Sequence, residues 1–116
     1  MYNFDPNLNL SHLVGKSLIQ IGIGENEIVF SFENDQTIVV SGKWELMQDQ
    51  TLIDQSCEDL ERKSYVIHGL LGKEIISYKI ISNTQLNIEL NDSYKLKIYD
   101  DSTEYESCFI SPNIII

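Results

Sequence analysis

The amino-acid sequence predicts a mainly β domain, an internal duplication of antiparallel β-meanders packed as a sandwich or bent barrel, with at most one short helix. Apolar and polar residues alternate over six separate stretches, the period of a half-buried strand. The pattern also recurs: Leu13, Gly15, Lys16, Leu18, Ile19 and Ile23 return 57 positions later (72 − 15) as Leu70, Gly72, Lys73, Ile75, Ile76 and Ile80. Beyond one inserted residue, Ile28, Phe30, Phe32, Ile38 and Val40 return at an offset of 58 (86 − 28) as Leu86, Ile88, Leu90, Leu96 and Ile98. Finally, the chain contains no alanine, the best helix former, and isoleucine is its commonest apolar residue.

In chain order, the first copy spans about 13–47, with strands expected at 17–23, 27–33 and 37–47. Gly24-Glu25-Asn26 and Asn34-Asp35 break them, because glycine and asparagine accept the positive φ of tight hairpins. Gly15 and Gly72 hold the same place before each copy, which predicts a shared turn into the first strand. A connector at about 48–69 follows, where Ser56-Cys57-Glu58-Asp59 has the form of a capping box and predicts a short helix. The second copy spans about 70–110, with strands at 74–81, 85–91 and 94–99 and turns at Ser82-Asn83 and Asn91-Asp92. Short strands are expected near 105–110 and 113–116. The whole of 1–116 reads as a single domain, since a chain of 116 residues can bury one core.

Charge narrows the function classes. The net charge is −10, with −9 on residues 1–61 (two lysines, eleven acids) and −1 on 62–116 (six bases, seven acids). Such a field repels nucleic acid and anionic membranes and attracts basic partners. The two cysteines, Cys57 and Cys108, form neither a metal-type pair nor a disulfide framework, so the expected location is the cytoplasm. No stretch reaches the roughly 18 apolar residues of a spanning helix.

Few residues suggest chemistry. His12, Cys57, His68 and Cys108 are possible zinc ligands without the usual paired spacing, and Cys57 with His68 is the one conceivable nucleophile–base pair. Cys108, in Ser107-Cys108-Phe109-Ile110, reads as a small buried hydrophobe. The acidic stretch from Asp100 to Glu106 offers Asp101 and Glu104, with His68, as weak metal candidates, but no glycine for a calcium loop. Lys95, Lys97 and Tyr99 alternate onto one strand face, too few for a nucleic-acid surface on so acidic a chain. Trp44, the single tryptophan, is either a core anchor or the aromatic centre of a partner surface rimmed by Glu45, Asp49 and Asp54.

Leu13-Val14-Gly15-Lys16 before a meander, and Ile98-Tyr99-Asp100-Asp101-Ser102-Thr103-Glu104-Tyr105-Glu106-Ser107 near the end, resemble a family of small bacterial β-proteins of unknown function. Some of its members resemble the immunity proteins of toxin systems. The resemblance implies a non-enzymatic binding role and carries no catalytic residue across. In that motif, the Tyr105 hydroxyl would lock the acidic turn to nearby backbone. The functional expectation is a protein-binding module that engages a basic protein through an acidic face, without a cofactor. The alternatives are a small metal- or ligand-binding enzyme with its site between the meanders, and a homodimeric accessory protein.

Overall fold

The computed structural model describes residues 4–24, 27–56, 66–100, 108–110 and 114–115. Among the described residues ten strands follow in chain order: β1 (Leu18–Ile23), β2 (Ile28–Phe32), β3 (Gln36–Val40), β4 (Trp44–Gln48), β5 (Thr51–Gln55), β6 (Ile75–Ser82), β7 (Gln85–Leu90), β8 (Tyr94–Tyr99), β9 (Cys108–Ile110) and β10 (Ile114–Ile115). Three short 3₁₀ turns, at Ser11–Leu13, Glu33–Asp35 and Ile67–Leu70, are the helical elements among the described residues. The expected helix after Ser56 falls on residues 57–65, outside those described.

Two antiparallel sheets result, ordered β1-β2-β3-β9-β10 and β5-β4-β8-β7-β6. The meanders are β1-β2-β3 and β6-β7-β8, as the repeat predicts. Neither sheet is made by one copy alone. The hairpin that follows each meander crosses over and pairs with the other, β4 against β8 and β9 against β3. The expected single strand 37–47 is therefore two strands in different sheets, separated at Ser41-Gly42-Lys43. A second strand of that hairpin, β5, occupies part of what the sequence suggested was an irregular connector.

Period-two alternation explains the packing. Phe30, Ile38, Leu46, Leu86, Ile88 and Ile98 point inward and lose nearly all contact with solvent. They belong to one continuous core shared by both sheets, which Leu10, Leu13, Ile67 and Leu70 from the 3₁₀ turns help to close. Burying each such side chain stabilises by about 1.5–3 kcal/mol.

The duplication extends to individual hydrogen bonds. The Gly15 N–H donates to the Ile75 carbonyl at 2.8 Å, and the Gly72 N–H to the Leu18 carbonyl at 2.8 Å. Leu18 N–H and Ile75 N–H donate in turn to the carbonyls of Lys73 and Lys16. Ser17 and Glu74 form the bridge between them, where the first strands of the two sheets touch. Gly15 and Gly72 have φ of +89° and +85°, and a Cβ on either would meet nothing within 4 Å. Their shared requirement is conformational, not steric.

Candidate functional site

The four residues expected to form a partner surface do not share one. Trp44 is 4% exposed, pairs with Ile98 across β4 and β8, and belongs to the core. Asp54 is 6% exposed and points inward from β5. Its carboxylate accepts from the N–H groups of Gln55 (2.9 Å), Val66 (2.7 Å) and Ile67 (2.9 Å), tying the last 3₁₀ turn to the strand. Both are structural residues, the core role that the sequence left open for Trp44. Glu45 faces outward, half-buried, and accepts the Tyr99 hydroxyl at 2.7 Å. Burial and then this carboxylate push the Tyr99 phenol up to about 12. Of the four, Asp49 alone is exposed, at the β4–β5 turn.

Of the chemical candidates, His68 lies exposed in the last 3₁₀ turn, while Cys57, Asp101, Glu104 and Tyr105 fall outside the described residues. Among the described residues no three His, Cys, Asp or Glu side chains are grouped to hold a metal ion. Cys108 is buried at 2% exposure, and burial, with a smaller effect of Asp100, pushes its thiol up to about 12. A thiol so protonated at neutral pH is not a ready nucleophile.

The residues that do converge lie where β1 meets β6. The Ser17 N–H donates to Glu33 Oε1 at 2.8 Å and the Glu33 N–H to the Ser17 carbonyl. In the other copy, the Glu74 N–H donates to Asn91 Oδ1 at 2.8 Å and the Asn91 N–H to the Glu74 carbonyl. With the Ser17–Glu74 bridge, these bonds draw the two meander turns into a continuous row, Glu33-Ser17-Glu74-Asn91. The β4–β5 turn joins it, because the Asp49 N–H donates to the Ser93 carbonyl at 3.0 Å.

This end therefore displays five exposed carboxylates, Glu33, Asp35, Asp49, Glu74 and Asp92, beside two half-buried lysines, Lys16 and Lys73, a local charge of 2 − 5 = −3. Lys73 is ion-paired with Asp92, and that hydrogen bond raises the lysine's pKa. Four aliphatic residues near the junction are exposed: Val14 (39% exposed), Ile19 (62%), Leu71 (47%) and Ile76 (52%). Each adjoins a residue of the bonds linking the copies, Val14-Gly15 to Ile75-Ile76 and Leu71-Gly72 to Leu18-Ile19. Carbon and carboxylate side by side suit macromolecular contact better than catalysis, which needs convergent groups in a water-excluding cleft.

Sequence reasoning retained Asp49 and missed the rest of this surface. The clue was present in the repeat itself, since Val14 and Leu71, and Ile19 and Ile76, are equivalent residues beside the two glycines. The chain matches no protein-family model, no curated protein and no solved structure.

Proposed function

We propose that the protein acts by binding another protein, a basic one, at the acidic end where β1 and β6 meet. The observation that carries this reading is the hydrogen-bonded row that joins Glu33 and Glu74 and the turns bearing Asp35, Asp49 and Asp92, together with exposed Val14, Ile19, Leu71 and Ile76 next in sequence to the residues that link the copies. An apolar centre excludes water on docking, and the charges around it steer an oppositely charged partner and speed encounter. The resemblance of the chain's opening and closing segments to small bacterial β-proteins is consistent with an immunity-like role, in which occupying a partner's basic site is the whole activity. The expected location is the cytoplasm.

The test compares the tagged native chain with a triple variant, Asp35→Asn, Asp49→Asn and Glu74→Gln, in capture from the native host at low and high salt. Asparagine is chosen because Asp35 and Asp49 have φ of 60° and 56°, which asparagine tolerates. The native chain should retain one basic protein at low salt and release it at high salt, with the variant's on-rate lowered about tenfold or more. Equal retention by both chains, or retention indifferent to salt, refutes the reading.

A further inference from the structure

The outer face of the second sheet carries Lys43, Lys79, Lys95 and Lys97 against Glu45 and Glu89, a local charge of 4 − 2 = +2 on a chain of −10. Both carboxylates are engaged. Glu45 accepts the Tyr99 hydroxyl at 2.7 Å; Glu89 accepts the Ser77 hydroxyl at 3.0 Å and lies 3.9 Å from the Lys95 ammonium. Lys43 stands 4.9 Å from the centre of the Tyr99 ring. Lys79 and Lys97 form no ion pair among the described residues.

Asn87 lies between these two lysines, in register with Lys79 on β6 and with Lys97 on β8. Residues so opposed have Cβ atoms about 5 Å apart. Asn87 faces outward, yet it is only 6% exposed. In the first sheet Val29 holds the same place between Gly22 and Val39, and it is half-buried. The backbone therefore does not bury this position. The longer side chains around Asn87, Lys79 and Lys97 among them, do so by lying over it. The Asn87 carbonyl oxygen accepts from Gln85 Nε2 at 2.9 Å, whereas Asn87 Nδ2 donates to no group among the described residues. One amide and two ammonium groups thus converge, and all three are donors.

We infer that Asn87, Lys79 and Lys97 form an anion site that takes the phosphate group of a small ligand. Donors gathered without an acceptor are completed by an oxyanion, with the buried amide at its base and the ammonium groups at its sides. Charge selects the anion. A phosphate monoester carries nearly two negative charges and three free oxygens, which match two lysines and three donors; a carboxylate would leave one lysine unmatched. Size selects a small ligand. Beyond a screening length of about 10 Å a long polyanion would meet the repulsion of the whole acidic chain, whereas a small one meets chiefly the local +2. The backbone does not require these residues, since the equivalent Gly22, Val29 and Val39 supply neither a charge nor a side-chain donor.

Titration of the full chain with inorganic phosphate tests the site. The readout is nuclear magnetic resonance of the Asn87 side-chain amide at fixed ionic strength and about pH 8, where phosphate is chiefly the dianion. The amide signal should shift and saturate with a dissociation constant on the order of 1 mM, and acetate should bind about tenfold more weakly. Asn87→Val should weaken binding about tenfold, with unchanged circular dichroism because Val29 holds the same backbone position. Lys79→Ala and Lys97→Val should each weaken it about threefold or more, and Glu89→Gln, which removes a neighbouring negative charge, should tighten it about threefold. Glycerol phosphate, titrated alongside, assigns the site to an ester if it binds at least as tightly, and to the free anion if it binds more weakly. An amide signal that does not saturate with phosphate, equal affinity for acetate, or undiminished binding by Asn87→Val overturns the inference.

Discussion

The outer faces of the two sheets differ at nearly every equivalent position, whereas the inner faces differ little. Phe30, Ile38 and Val40 are answered by Ile88, Leu96 and Ile98, all buried. Val29, Thr37 and Val39 are answered by Asn87, Lys95 and Lys97. Folding requires the first set, because both sheets share one core and a one-residue slip would turn that set out to water. It does not require the second, since the same backbone carries either choice. The divergence outside therefore reflects what each face meets once folded. One inner pair breaks the parallel: Trp44 stands opposite Ile98 where Cys108 stands opposite Val40.

That pair gives the largest expected effect. Trp44→Ala should lose about 3–5 kcal/mol, through lost burial and the cavity left behind, against about 1–2 kcal/mol for Cys108→Ala. Urea unfolding of the two variants measures the difference. Equal losses would mean that the core is as symmetric as the backbone. Next comes Asp54→Ala, expected to cost about 3 kcal/mol, because three N–H groups, one buried and two partly buried, lose a charged acceptor.

Cys108 also makes its half sensitive to alkali in a way that Trp44 cannot. Its thiol is held at about 12 in the folded chain against an ordinary value of 9.0, so the unfolded chain releases the proton first. The native state is unaffected below pH 9 and loses stability as pH rises from there towards 12, at about 1.4 kcal/mol per unit. Tyr99, held at about 12 against an ordinary 10.0, adds a smaller loss of the same sign because it is less buried. Cys108→Val should flatten the decline, read as unfolding midpoints between pH 8 and about pH 11. A decline of the same steepness in that variant would place the alkaline sensitivity elsewhere. Smaller again, Gly15→Ala and Gly72→Ala should each cost about 1 kcal/mol and match each other, both residues having positive φ and open space around the missing Cβ.

How much was legible in the sequence follows from which interactions are local. Both meanders, their turns and the two glycines could be read, because alternation and turn chemistry act over a few residues. Asn34 and Asp35 have φ of 61° and 60°, and in the second copy Asp92 and Ser93 have 61° and 66°. The exchange of hairpins could not be read, since Val40 and Trp44 are both apolar and the pattern runs on through Ser41-Gly42-Lys43 as if in one strand. That missed crossing also misdirected the site. With 37–47 as one strand beside β2, Trp44 overran its partner and was free to be exposed; paired instead with β8, it enters the core. The acidic end was hidden for a related reason, as Glu33 and Glu74 are 41 positions apart (74 − 33) and meet only through Ser17.

The smallest effect tests the premise that the outer faces are irrelevant to folding. Val39→Lys and Lys97→Val each exchange a residue for its counterpart in the other copy. Lys97 lies between Glu45 and Asn87 without an ion pair among the described residues, and Val39 is partly open to solvent. Each variant, measured as dilute monomer, should change unfolding stability by less than about 0.5 kcal/mol. A much larger loss in Val39→Lys would mean that the uncharged face stabilises the single chain, and its lack of charge would then be explained by folding. A negligible loss would mean that folding tolerates either residue at this backbone position.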